Sequence, residues 1–212
     1  MKKWMKMAAV LFLTVGCGKP LTPQESPDAT TKPEYTFTNP VPLETSPADM
    51  SGYYWLYDPS PAFTEISFAD SIRMFTEKGT GLLYYGRTNC PWCQRAVPIL
   101  DEAAQEMGIT VYYIDAARPL AVGEDGAIDT KKANEIYNQL VEQIKEILKE
   151  DENGGYNFQI PEVIAVKNGK IVGHHLSLTD DFSLTNEDEQ LNDNQKAELK
   201  KIYEDMILSL AD

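Results

Sequence analysis

Apolar residues along the chain recur with two periods, and each predicts its own elements. At helical spacing, Phe68, Ile72 and Phe75 follow Ser67 and Asp70, a start that resembles a capping box, and Gly79 reads as the stop. Ala96, Val97, Leu100, Ala103, Ala104 and Met107 predict a second amphipathic helix running on from Gln94, with Pro98 in its interior. An interior proline costs about 3 kcal/mol and kinks a helix, so it calls for a reason. A third stripe, Ala133, Ile136, Tyr137, Leu140, Ile144, Ile147 and Leu148, predicts a helix over 130–150. A fourth, Leu199, Ile202, Tyr203, Met206 and Leu210, predicts a closing helix. Between these lie short apolar runs at 81–85, 110–114 and 160–166 that read as strands. Asn168-Gly169, flanked by two β-rich runs, predicts a hairpin with a type I′ turn.

Composition changes this picture at the N-terminus. Lys2, Lys3 and Lys6 precede an apolar run from Met7 to Val15, too short to span a bilayer and laid out like a secretory signal over 1–16. From 17 to about 50 the chain turns to Pro, Thr, Ser, Glu and Lys, which cannot bury enough surface to offset its ordering entropy, so a solvated tether is expected. The domain is expected over 51–212, its regular part starting near Phe63. Gly52-Tyr53-Tyr54-Trp55-Leu56-Tyr57 is aromatic enough to be an edge strand, a packing arm or an exposed binding patch. The 212 residues carry a formal net charge of −14, which argues against a nucleic-acid partner. Residues 179–193 are acidic and turn-rich without an Asp-x-Asp-x-Asp-Gly calcium pattern; they read as a solvated loop, with a metal or partner contact as the alternative.

The candidate chemistry is concentrated in Asn89-Cys90-Pro91-Trp92-Cys93, where a strand gives way to a helix. Cysteines at i and i+3 share a helix face, and Pro91 suits the first turn because its missing N–H would have no partner there. Cys90 then sits at a helix N-terminus, whose free N–H groups and positive dipole end favour a thiolate nucleophile. Cys93, a turn deeper, would resolve the mixed disulfide. Zinc would need two more ligands, and only Cys17 and the adjacent pair His174-His175 are of the usual type; neighbours on a strand point to opposite faces. A purely structural disulfide gains little entropy from so short a loop. No metal and no cofactor beyond a redox-active Cys90–Cys93 disulfide is expected.

Leu13-Thr14-Val15-Gly16-Cys17 resembles a bacterial lipobox, with Thr14 where that pattern prefers Leu. The resemblance implies a lipidated Cys17 as the first mature residue and an anchor in the cell membrane; ordinary signal cleavage is the alternative. The chain from about Phe63 onward resembles the thioredoxin superfamily. The superfamily places Cys-x-x-Cys at a helix start and a kinking proline five residues later, as Pro98 follows Cys93, and its cis-proline strand and hairpin resemble Ile160-Pro161-Glu162-Val163-Ile164-Ala165-Val166-Lys167-Asn168-Gly169. This implies an α/β thioredoxin-like fold, a central mixed β-sheet flanked by helices, with a helical insertion at about 118–155 before the cis-proline strand. Gly86-Arg87, the Pro-Trp dipeptide and the lipoprotein start look like the bacteriocin-accessory type. By resemblance, Ile160 and Pro161 contact a bound peptide, joined by Trp92, while Arg87 supports the Cys90 thiolate or is a solvated loop charge.

Two departures stand out. Tyr84 occupies the place where thioredoxins bury an acid, and a phenol with an ordinary pKa near 10 is a poor base. Water, or Asp115 at the end of the 110–114 run, is left to accept the Cys93 proton. The insertion is the other departure; its apolar stripe packs on the sheet or forms a specificity lid. The expected activity is a protein thiol-disulfide oxidoreductase outside the cytoplasm, acting on exported protein or peptide thiols and disulfides with a membrane redox partner. The alternatives are a non-catalytic accessory protein that holds exported peptides, which would need neither thiol, and a metal-delivery lipoprotein, whose Cys-x-x-x-Cys spacing is one residue longer.

Overall fold

Twelve elements follow one another in the computed structural model, which describes residues 37–211. The signal segment, Cys17 and residues 18–36 of the tether lie outside the described residues. In order, the elements are β1 (Ser46–Pro47), β2 (Phe63–Glu65), α1 (Phe68–Thr76), β3 (Gly81–Gly86), α2 (Pro91–Met107) and β4 (Val111–Asp115). Then come α3 (Thr130–Ile144), β5 (Lys149–Glu150), β6 (Tyr156–Asn157), β7 (Glu162–Lys167), β8 (Lys170–Leu176) and α4 (Asp193–Leu210). Six strands form one mixed sheet in the order β1-β2-β4-β3-β7-β8, and β5 and β6 pair separately. β2, β4 and β3 run parallel, while β7 and β8 return antiparallel. The molecule is thus α/β, a mixed sheet of six strands flanked by four helices.

Alternation along β3 divides the core into two layers. Leu82 and Tyr84 face α2 and α4, whereas Leu83 and Tyr85 face α1 and α3. Every residue of β3 is buried, because both faces are covered and both edges are paired. Ser67 caps α1 by accepting from the Asp70 N–H, and α4 opens on a full capping box between Asn192 and Gln195. Between β7 and β8, Asn168 and Gly169 both have positive φ, 53° and 77°, as a type I′ turn requires.

Two expectations need correction. The tether does not run to residue 50: Val41 and Met50 are buried, and β1 pairs with β2. Asn39 also accepts from the Thr80 N–H, so a few well-placed contacts hold a segment whose composition looks solvated. The insertion helix stops at Ile144 rather than near 150. Ile147 and Leu148 keep their apolar contacts from a 3-10 turn and a strand entry, so the stripe persists where the helix does not. Gly79 does close α1, its N–H bonding the Met74 carbonyl at 2.8 Å, and the left-handed residue before it is Lys78, φ 63°. Gly79 is needed because a Cβ there would lie 2.9 Å from the Met74 backbone.

The aromatic block is not a strand. It turns twice, with Tyr53 N–H bonded to the Met50 carbonyl and Leu56 N–H to that of Tyr53. Tyr53 is buried, Tyr54 and Tyr57 are exposed, and Trp55 stacks on the Arg95 guanidinium, 4.7 Å from the ring centre. The block is therefore a packing arm at Tyr53 and an open surface at its neighbours.

Candidate active site

The strand-to-helix junction places Cys90 as the N-cap of α2, in extended backbone (φ −99°, ψ 117°), with Pro91 at the first helical position. Its sulfur lies 3.3 Å from the Cys93 N–H and 3.9 Å from the Ile160 carbonyl oxygen. The Ile160–Pro161 peptide bond is cis. Both cysteines are free thiols, Cys93 fully buried and Cys90 6% exposed, so of the two only Cys90 meets solvent at all.

Their electrostatics diverge as their positions do. A hydrogen bond from the Cys93 thiol draws the Cys90 pKa down to about 6 against the opposing effect of burial, helped by the Cys93 and Trp92 backbone N–H groups and by the charge of Arg87. Burial pushes the Cys93 thiol far up, and its hydrogen bond with Cys90 adds to this. One thiol is poised as nucleophile while the other holds its proton.

Two grooves flank this pair. One, of about 580 Å³, brings together Trp92, Arg87, Ile160, Tyr137 and Phe158. Tyr137 comes from α3, whose Leu140 and Ile144 are buried against the sheet. The insertion thus packs on the sheet and also lines the site. The other groove, of about 550 Å³, lies between Tyr54, Trp55 and Cys90 on one side and residues 184–188 on the other. Arg95 pins that acidic loop by donating to the Glu187 carbonyl at 2.8 Å and to the carbonyl of Glu189. The loop is exposed yet fixed.

Beneath Cys93 lies a layer of phenols. Tyr84 shares the buried cluster of Cys93, and its ring stacks on Tyr113 with centres 5.7 Å apart. Gly86 makes room: a Cβ there would fall onto the Tyr84 hydroxyl. Asp115, the expected substitute acceptor, does not reach Cys93; its carboxylate accepts from the Ala117 N–H and pairs with Arg118 at 3.4 Å. The sequence reading missed Tyr53 and Tyr113 as neighbours of the site, and also Gln94. Gln94 is buried in α2, accepts from the Tyr54 N–H and donates to the Gly52 carbonyl, tying the aromatic arm to the dithiol. A glutamine on the apolar face of an amphipathic helix was the available signal.

Glu162, next to Pro161, was also missed, although a charge inside an apolar strand was visible. It is 2% exposed and lies 3.2 Å from His174 Nδ1. Burial raises its carboxyl to about 8 and holds His174 below its ordinary value, so at neutral pH an uncharged acid meets an uncharged imidazole. A folded pKa above the unfolded one contributes stability at pH below about 4.5 that is lost as pH rises through about 8. Glu162→Gln, which keeps the shape and removes the titration, should gain stability over the parent, read as a higher melting temperature, as pH rises across that window, by a few kcal/mol at most. Parallel melting curves for the two proteins would show that Glu162 does not titrate this way.

His174 and His175 diverge as adjacent strand residues must, His174 toward Glu162 and His175 toward Tyr203. Among the described residues no group of three or more His, Cys, Asp or Glu side chains could hold a metal ion, and no helix is long and apolar enough to cross a membrane. Fold and site together define an α/β protein with a Cys-x-x-Cys pair at a strand-to-helix junction. The chain matches no protein-family model and no curated protein sequence.

Proposed function

We propose that this protein is a thioredoxin-like protein thiol-disulfide oxidoreductase, tethered outside the cytoplasm through a lipid on Cys17. The observation that carries the reading is the inequality of the two thiols: Cys90 at a helix N-terminus with a pKa near 6, and Cys93 buried and protonated one turn below. The Cys90 thiolate attacks one sulfur of a substrate disulfide, forming a mixed disulfide and releasing the first substrate thiol. Cys93 then attacks the Cys90 sulfur, closing the Cys90–Cys93 bond and releasing the second. A membrane redox partner would return the dithiol to its reduced form. The Ile160 carbonyl and the groove beside Trp92 support binding of an extended peptide across the dithiol.

The test is turnover of a disulfide-bonded model protein with a chemical reductant as the final electron source. The parent should accelerate it and Cys90→Ser should not. Equal rates from the two would make the grooves a peptide-holding site instead. Lipid on Cys17, sought by mass in the membrane fraction, tests the tether separately.

A further inference from the structure

The two grooves that flank the dithiol share no lining residue and differ in charge. Among the described residues that line the groove beside Trp92, only Arg87 is charged. The other groove reaches Cys90 itself, with Glu187 and Asp188 on one wall and Tyr54 and Trp55 on the facing one. Both walls are held by α2. Arg95, 3% exposed, donates to the Pro91 carbonyl at 2.7 Å and to the Glu187 carbonyl at 2.8 Å, and its guanidinium carries the Trp55 ring. Gln94 accepts from the Tyr54 N–H at 2.8 Å, which fixes the backbone of a residue whose ring stands in solvent, 75% exposed.

Arg95 directs its N–H groups to main-chain carbonyls, so it fixes the acidic loop without occupying the loop's carboxylates. Glu189 turns inward, accepting from the Thr185 hydroxyl and from the Asn186 amide at 3.1 Å. Glu187 and Asp188 are exposed, and among the described residues neither carboxylate takes a hydrogen bond or an ion pair. Two carboxylates therefore face an exposed phenol ring across about 550 Å³, beside the sulfur that reacts. We propose that this groove is a subsite for a lysine or arginine side chain of the substrate, so that the proteins this dithiol serves are cationic around the attacked cysteine. The proposal rests on the dithiol reading above.

The parts of the groove match the parts of such a side chain. Its aliphatic stem lies along the Tyr54 ring, whose face also attracts the positive end. That end meets Glu187 and Asp188, and the backbone that carries it leads to the substrate sulfur at Cys90. An acidic segment would be repelled from the same place, so the loop selects by exclusion as well as by attraction. Because Arg95 and Gln94 fix the walls beforehand, little ordering entropy opposes binding. The presence of Cys90 in the groove sets it apart from an ordinary acidic surface loop: a side chain held here is a near neighbour of the disulfide under attack.

Cys93→Ser protein keeps the adduct it forms, so the rate at which peptide mass adds to Cys90 reads recognition of the peptide. The probe is a short end-blocked peptide, a cysteine among alanines, joined to mercaptoethanol in a mixed disulfide; the Cys90 thiolate attacks the peptide sulfur and mercaptoethanol leaves as its thiol. Lysine on one side of the cysteine should speed the addition about threefold to thirtyfold over alanine at low salt, and glutamate there should slow it. Lysine on the other side should not speed it. Glu187→Gln with Asp188→Asn should bring the lysine and alanine peptides to the same rate, and Tyr54→Ala should weaken the preference from the facing wall. Glu152→Gln with Glu198→Gln, two exposed acids that line neither groove, should keep it. Circular dichroism checks that each variant is folded. Equal rates for lysine and alanine before any acid is removed, equal acceleration from either side of the cysteine, or a preference that survives Glu187→Gln with Asp188→Asn overturns the subsite and leaves the dithiol reading intact. Loss of the preference in Glu152→Gln with Glu198→Gln would trace it to overall charge and overturn the subsite as well. No adduct with any peptide overturns the dithiol reading itself, and the subsite with it.

Discussion

Cys93→Ser should leave exported proteins covalently attached through Cys90, as adducts that disappear on reduction, whereas Cys90→Ser should trap almost none. The expectation follows from the unequal geometry of the pair. Cys90 caps α2 and keeps a residual 6% exposure where Cys93 has none, so it makes the first bond. Cys93 is fully buried and meets a substrate only as the mixed disulfide on its neighbour. Removing Cys93 deletes the step that expels the substrate, and the adduct lifetime becomes that of an isolated mixed disulfide. A peptide-holding protein draws no such distinction between the two thiols: both variants would retain partners equally and no reducible adduct would form. Non-reducing gels of cells expressing each variant read the difference. Absence of adducts in Cys93→Ser, with Cys90 still open to alkylation, would sink the oxidoreductase reading.

Alkylation of the reduced protein should be fast at Cys90 and nearly absent at Cys93, with a midpoint near pH 6 for Cys90 rather than the ordinary value near 8.5. The magnitude can be bounded. At pH 6 about half of Cys90 is thiolate, against about 0.3% of an unperturbed thiol; the lower basicity of Cys90 returns roughly a factor of ten of that, leaving an advantage of about tenfold. Above pH 8.5 the advantage disappears, and Cys90 should then react more slowly than a free thiol. The same displacement bears on stability. A folded pKa below the unfolded one contributes stability above about pH 8.5 that is lost as pH falls through about 6. The melting temperature of the reduced parent should therefore fall relative to Cys90→Ser across that window on acidification. A midpoint near 8.5 in the alkylation profile would mean that neither the Cys93 thiol nor the helix terminus activates this thiol.

Much of the frame is legible in the sequence because it depends on short-range chemistry. Ser67 capping α1, Asn168-Gly169 turning a hairpin and Pro91 opening α2 are each decided within four residues, and the structure has all three. The position of Cys90 at a helix N-terminus is of the same kind. Even the insertion's apolar stripe persists, because spacing selects which side chains face inward. Its helix end does not, because a 3-10 turn can keep Ile147 and Leu148 on the same core.

What the tertiary structure alone decided is which distant residues meet. Tyr53, Tyr84 and Tyr113 come from an aromatic arm and two strands, 31 and 60 residues apart along the chain, and alternation reveals the face each shares but not its partners. Asn39 and β1 show the same limit from the other side: hydrogen bonds to Thr80 and pairing with β2 fix a segment whose composition predicts a free tether. The sequence by itself determined that two cysteines share one turn at a helix start, since φ, ψ and capping are local. Only the packing of the sheet against α2 could decide that Tyr53 and Tyr113 join Tyr84 in the layer beneath the second of them, because that contact joins side chains whose separation in sequence carries no periodic signal.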